Sequence, residues 1–148
     1  MIKRIQNEIN ANKNINVISF DIDEGKKEIV LNFIISTNNR KYSIVFDSSY
    51  PFKPPKKFSS NGISYFKIMK VPSTRFSTIL KKITGQECFC CYSSMCGSNW
   101  SPCSTIQKII NESNDVCKIK QMIVEKIIAD SIKKKYLNDD INLDQWIY

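Results

Sequence analysis

Apolar residues recur every second position through the first third of the chain and at helical spacing near its two ends. Ile2, Ile5 and Ile9 fall on one stripe of a helix over residues 2–10, with Lys3, Arg4, Asn7 and Glu8 elsewhere. A polar break over residues 10–16 leads into a strand over 17–22. Asp23-Glu24-Gly25-Lys26 reads as a turn in which the glycine supplies the positive φ. Ile29, Leu31, Phe33 and Ile35 alternate along a second strand (27–35), and Tyr42, Ile44 and Phe46 along a third (41–46). Asn38-Asn39 marks the tip of the loop between them. Consecutive strands on short polar turns make an antiparallel meander. Residues 57–60 supply a short fourth strand, ended by the Asn61-Gly62 turn signal.

The second half switches to helical spacing. Residues 66–72 have no clear period. Phe76, Ile79, Leu80 and Ile83 predict a helix over 75–83 with Gly85 as its C-cap. A helix over 101–112 is expected next, with Ser101 as N-cap, Pro102 at the first helical position and Ile106, Ile109 and Ile110 buried. Ser113-Asn114-Asp115 is expected to break it. A longer helix over 118–137 then carries Ile119, Ile123 and Ile127 on one line, widened by Ile128, Ile132 and Tyr136. Lys133-Lys134-Lys135 suits the negative end of its dipole. The final Leu143-Asp144-Gln145-Trp146-Ile147-Tyr148 is apolar enough to dock back. No repeat or linker interrupts the 148 residues. The expectation is one α+β domain over 1–148: an N-terminal helix, an antiparallel meander of about four strands, and C-terminal helices.

Residues 49–102 hold the chemistry. They contain all five prolines, beginning with Tyr50-Pro51-Phe52-Lys53-Pro54-Pro55-Lys56, which reads as an extended, rigid connection. Phe52, held between prolines, is expected to be exposed and to mark a protein-docking surface. Trp100 reads as a core anchor. The six cysteines sit at 88, 90, 91, 96, 103 and 117, four of them within nine residues. The N-terminal stretch is charged, without the apolar core of a secretory signal, so reduced thiols in a cytosolic or nuclear compartment are expected. No apolar run approaches the ~18 residues of a membrane span.

Three readings of the cysteines stand side by side. In the first, Cys88 is a nucleophile: Phe89 is buried beneath it, Lys81 and Lys82 favour its thiolate, and Glu87 opposes that. Cys90 and Cys91 are rivals for the role. In the second, Cys88, Cys91, Cys96 and Cys103 hold zinc as four thiolates and stabilise an interaction domain. In the third, the cysteines are small packed hydrophobes.

Composition narrows the classes. The chain has no histidine, which removes zinc-hydrolase ligands, Ser-His-Asp triads and Cys-His dyads. No Gly-rich phosphate loop occurs, so no nucleotide cofactor is expected. The formal charge is +8, but lysine is scattered and only Arg4, Arg40 and Arg75 supply guanidinium forks. The basic excess reads as a solvated lysine surface rather than a nucleic-acid or membrane site.

Tyr50-Pro51-Phe52-Lys53-Pro54-Pro55-Lys56, then Gly85-x-x-Cys88-Phe89, then Trp100-Ser101-Pro102 before a helix, resembles the ubiquitin-conjugating enzymes over residues 1–112. Those carry YPFKPPK, G-x-I-C-L and W-S-P in that order. Lys3-Arg4-Ile5 with Glu8 is similar to their N-terminal KRI-x-x-E pattern. The Cys-x-Cys-Cys variant in an Asn/Ile/Lys-rich chain is similar to a divergent member, such as one from a large DNA virus, acting in host cytoplasm or nucleus. The resemblance implies that Cys88 accepts ubiquitin from an activating enzyme as a thioester and passes it to a substrate lysine or a ligase cysteine. It implies that Lys3 and Arg4 help dock the activating enzyme and that Phe52 and Pro102 contact a RING- or HECT-type ligase. No cofactor is implied, because ATP is spent by the activating enzyme.

Two departures bear on that expectation. The family's His-Pro-Asn before the cysteine is missing, and no asparagine lies between Asn61 and Asn99. Ser77, Thr78, Thr84 and Gln86 are the candidate substitutes. An oxyanion donor is worth roughly 2.7–4 kcal/mol, so lysine transfer would slow while thioester formation survives. A catalytically inactive ubiquitin-binding variant of the same fold is the alternative. Cys88 also stands 12 residues before Trp100, longer than in the compact members.

Overall fold

The computed structural model describes residues 1–136. Helix α1 (Ile2–Asn10) leads into five strands: β1 (Ile15–Asp23), β2 (Glu28–Ile35), β3 (Arg40–Phe46), β4 (Lys57–Ser60) and β5 (Ile63–Ser64). All pair antiparallel in sequence order, one strand more than the sequence predicts. Helices α2 (Tyr65–Met69) and α3 (Thr74–Thr84), a single 3-10 turn (Cys90–Tyr92) and the long helix α4 (Ile106–Tyr136) follow.

Period-two burial selects the sheet's inner face. Ile29, Leu31, Phe33 and Ile35 on β2, and Tyr42, Ile44 and Phe46 on β3, are buried, while their neighbours are not. The register aligns Leu31 with Ile44 and Ile44 with Phe58, so one apolar row crosses three strands. Full burial of such a side chain contributes about 1.5–3 kcal/mol, and a one-residue slip would turn the whole row outward. Ile5, Leu80, Ile106, Ile109, Ile110 and Ile123 join that row in one core. Ile2, on the same predicted stripe as Ile5, stays exposed. The first strand is an edge, with a register shift between Val17 and Ser19 and with Val17, Ile18 and Ile22 exposed.

Turn chemistry explains the joins. Asn61 (φ 49°) and Gly62 (φ 77°) both adopt left-handed backbone, which a two-residue hairpin requires, and this creates the unpredicted β5. In the first turn the left-handed residue is Lys27 (φ 52°), not Gly25. The Asp23 carboxylate accepts the Lys26 N–H at 3.0 Å and sets that turn without needing the glycine. Ser73 caps α3 through the Phe76 N–H, and Gly85 (φ 76°) ends it, as its position predicts.

Three expectations are corrected. The segment around Pro51 is a set of tight turns rather than an extended connection: Ser49 C=O accepts the N–H groups of Phe52 and Lys53, and Asp47 accepts that of Ser49. The Tyr50–Pro51 peptide is cis.

The second correction concerns the start of α4, which lies at Ile106; Ser101 and Pro102 stand in a turn before it. Glu8 of α1 replaces the expected cap, its Oε2 accepting the Ile106 N–H at 2.7 Å, and Thr105 Oγ1 accepts the Lys108 N–H. A carboxylate at a helix N-terminus is favoured by both free N–H groups and the dipole.

Third, Ser113-Asn114-Asp115 does not break the helix. The Asn114 carbonyl oxygen accepts from Arg40 Nη1 at 3.0 Å and from the Tyr42 hydroxyl at 3.2 Å, and Ser113 bonds back to the Ile110 carbonyl. The Asn114 side chain, which would otherwise compete with the helix backbone, is engaged across the domain, and Ser113 bonds back within the helix without breaking it. The two expected helices are one, of 31 residues, about 46 Å at the usual rise. The expected end at Leu137 and the docking of Leu143–Tyr148 lie outside the described residues.

Candidate functional site

The cysteine loop runs from the end of α3 to the turn before α4. Three devices hold its entry. Gly85 closes α3 through the Lys81 carbonyl, Ser77 Oγ donates to the Glu87 carbonyl at 3.0 Å, and Lys81 Nζ reaches Glu87 Oε1 at 2.5 Å. Lys81 therefore neutralises Glu87, correcting the expectation that it favours the Cys88 thiolate. Phe89 then roots the loop: it is 6% exposed, packs in the core and lies under the Lys120 ammonium at 5.8 Å. Its burial leaves Cys88 half-exposed and Cys90 and Cys91 exposed on the 3-10 turn.

The three sulfurs lie within 4.8 Å of one another, and Cys88 Sγ is 3.0 Å from Cys91 Sγ. A contact this short shares one proton. Hydrogen bonding from the Cys91 thiol, then from its backbone N–H, lowers the Cys88 pKa below the ordinary thiol value. The Cys91 pKa is correspondingly raised, to about 11, first through the same Cys88 contact and then through Cys90. Of this pair Cys88 is the sulfur prepared to be a thiolate. Cys96 and Cys103 do not join: Cys96 Sγ meets Ser98 Oγ at 3.3 Å, and Cys103 is exposed in the turn before α4. The four-thiolate zinc set of Cys88, Cys91, Cys96 and Cys103 is therefore not assembled.

The exit of the loop is anchored by residues that carry no motif. Glu112 Oε1 accepts the Tyr65 hydroxyl at 2.7 Å, and Oε2 accepts the Ser94 N–H at 3.0 Å and hydroxyl at 2.5 Å. Ser93 Oγ accepts the Met95 N–H and meets the Tyr65 hydroxyl at 2.6 Å, so a buried relay runs from backbone to carboxylate. Burial raises the Tyr65 pKa well above the usual phenol range, so Tyr65 stays the donor to Glu112. Asn99 Nδ2 donates to the carbonyls of Cys91 (2.7 Å) and Ser93 (3.2 Å). The one sequence signal for these roles was polar residues at helix or loop positions, which many surface sites share.

Trp100 joins the loop to its neighbour. Its Nε1 donates to the Pro51 carbonyl at 2.8 Å, and its ring lies against Tyr50 at 6.1 Å. This brings the Phe52 turn beside the Trp100–Pro102 turn. Phe52 is 77% exposed, and Pro102 is exposed. Arg4 Nη2 reaches the Pro102 carbonyl at 3.5 Å while its Nε pairs with Glu8, and Lys3 is exposed on the same helix. Glu8 also accepts the Tyr50 hydroxyl at 2.7 Å. The four predicted docking residues are thus gathered around one end of the domain, with Glu8 as the buried tie.

Beside the thiols, an apolar groove of about 580 Å³ is lined by Val45, Phe58, Phe66, Met69, Cys90 and Met95, among others. Phe66, at 82% exposure, stands at its rim. Of the proposed substitutes for the missing asparagine, Thr78 and Thr84 bond back into their own helix, to Thr74 and Leu80. Ser77 holds the Glu87 carbonyl directly before Cys88, and Thr84 Oγ1 also accepts the Gln86 N–H at 3.2 Å. No helix among the described residues is long and apolar enough to cross a membrane. No protein-family model, curated protein or solved structure matches the chain.

Proposed function

We propose that the protein is a divergent ubiquitin-conjugating enzyme that carries ubiquitin or a similar modifier as a thioester on Cys88. The observation that carries this reading is the Cys88 sulfur: half-exposed, 3.0 Å from the Cys91 thiol that favours its thiolate, on a loop anchored at both ends. The thiolate attacks the thioester carbonyl presented by an activating enzyme. A new C–S bond forms, the old one breaks, and the departing cysteine leaves as a thiolate that takes up a proton from solvent. A ligase cysteine then displaces Cys88 in the same way. A substrate lysine attacks as the free amine: the amide C–N bond forms, the C–S bond breaks, Cys88 leaves as a thiolate and the nitrogen gives its extra proton to solvent. Thiol-for-thiol transfer needs no dedicated base, because one thiol replaces another of similar pKa.

The groove ending at Cys90 offers an apolar bed for an extended modifier tail. Lys3 and Arg4 supply cations for the activating enzyme, and Phe52 with Pro102 an apolar ledge for a RING- or HECT-type ligase. Ser77 takes over loop bracing from the missing asparagine but points no amide at a developing oxyanion, so transfer to lysine is slower than loading.

The test is incubation with activating enzyme, ATP and ubiquitin, followed by non-reducing electrophoresis. A thiol-sensitive adduct in the wild type, lost in Cys88→Ala, is expected. Loss in Cys90→Ala or Cys91→Ala instead moves the nucleophile. Ubiquitin binding without any adduct replaces the proposal with the inactive ubiquitin-binding variant.

A further inference from the structure

We propose that Cys88, Cys90 and Cys91 form a three-thiolate binding site for zinc, a ligand set distinct from the four-cysteine pattern of the sequence. Their sulfurs already lie within 4.8 Å of one another without any metal to gather them. Tetrahedral zinc with Zn–S bonds of about 2.3 Å spaces its thiolates about 3.8 Å apart. The Cys88–Cys91 contact, at 3.0 Å, opens by about 0.8 Å on metal entry.

The loop supplies the preorganisation. Ser77 holds the carbonyl before Cys88, Phe89 is buried between the first two ligands, and Asn99 holds the Cys91 carbonyl. The nearest carboxylate in sequence, Glu87, is engaged by Lys81, so the ligand set is all sulfur. That selects a soft, thiophilic cation over calcium or magnesium. With Cys90 and Cys91 exposed, the fourth coordination position faces solvent and takes a water, as in zinc sites that are not closed. Three thiols and Zn²⁺ give a tris-thiolate zinc complex and release up to three protons.

Zinc and an acyl group would then compete for the Cys88 sulfur, a form of regulation that rests on the proposed carrier role. The binding itself does not. It is tested by titrating reduced, full-length protein anaerobically with Co²⁺ as a spectroscopic stand-in. Expected is a sulfur-to-cobalt charge-transfer absorption that saturates at one equivalent and is bleached by Zn²⁺. Cys90→Ser and Cys91→Ser each weaken binding by more than about tenfold, while Cys96→Ser and Cys103→Ser leave it unchanged. Circular dichroism on each variant separates lost binding from lost folding. Absence of the absorption in wild type overturns the site, and dependence on Cys96 or Cys103 overturns the ligand set. Loading that persists at saturating Zn²⁺ overturns the competition. Failure of the carrier role, seen as no adduct in metal-free protein, leaves the cobalt absorption intact.

Discussion

Replacing Glu112 by alanine tests whether one unheralded carboxylate fixes the cysteine loop. The change strands three donors: the Tyr65 hydroxyl and the N–H and hydroxyl of Ser94. Tyr65 and Ser94 are buried, at 9% and 3% exposure, so neither gains full access to water in exchange. Hydrogen bonds to a charged acceptor contribute about 1.5–3 kcal/mol each. Glu112 is itself only half-buried, and water entering its space re-satisfies part of the set. The expected loss is therefore about 2–4 kcal/mol rather than the sum of three full penalties. In urea, with a slope of about 2 kcal/mol/M, the midpoint falls by about 1–2 M. Glu125→Ala on the same helix is the control: Glu125 is exposed, accepts only from Gln121, and its loss costs under about 0.5 kcal/mol. Alkylation of the cysteine cluster by iodoacetamide supplies the second readout, and it accelerates when Ser93 and Ser94 come loose. A Glu112→Ala midpoint equal to that of Glu125→Ala, with unchanged alkylation, refutes the assignment of Glu112 as the anchor.

Two further outcomes follow from other parts of the molecule. Because the Cys91 thiol holds the Cys88 pKa down, the Cys88 thiolate persists to lower pH than an ordinary thiol, and its alkylation rate falls only as pH drops through that depressed value. Cys91→Ala shifts the midpoint of the Cys88 pH–alkylation profile upward, as followed by peptide mass spectrometry; an unmoved midpoint rejects the shared proton. Leu31→Ala removes a fully buried side chain at the β2 end of the row shared by β2, β3 and β4 and costs about 2–5 kcal/mol in urea unfolding. A cost below about 1 kcal/mol would mean that the row is not the core.

The sequence by itself determined the elements whose neighbours in space are their neighbours in the chain. Period-two burial in β2 and β3, the Asn61-Gly62 turn, and α3 with Gly85 at its end follow from local periodicity and turn chemistry, whereas the strand after that turn and the Ser73 cap were not predicted. The exposure of Phe52 between its prolines and the burial of Phe89 beneath Cys88 were legible for the same reason. What tertiary structure decided were contacts across long stretches of chain. Glu8 caps a helix 98 residues away, so neither Ser101 nor Pro102 begins it. Arg40 and Tyr42 occupy Asn114, so a polar triplet that reads as a break stays helical. Glu112 and Asn99 anchor the thiol loop although neither lies in a recognisable motif. Which cysteines meet was likewise a matter of loop path: Cys90 turns in beside Cys88 and Cys91, while Cys96 and Cys103 are carried away. Spacing along the chain constrains a site only where the backbone between the ligands is regular, and here a 3-10 turn and two irregular loops intervene.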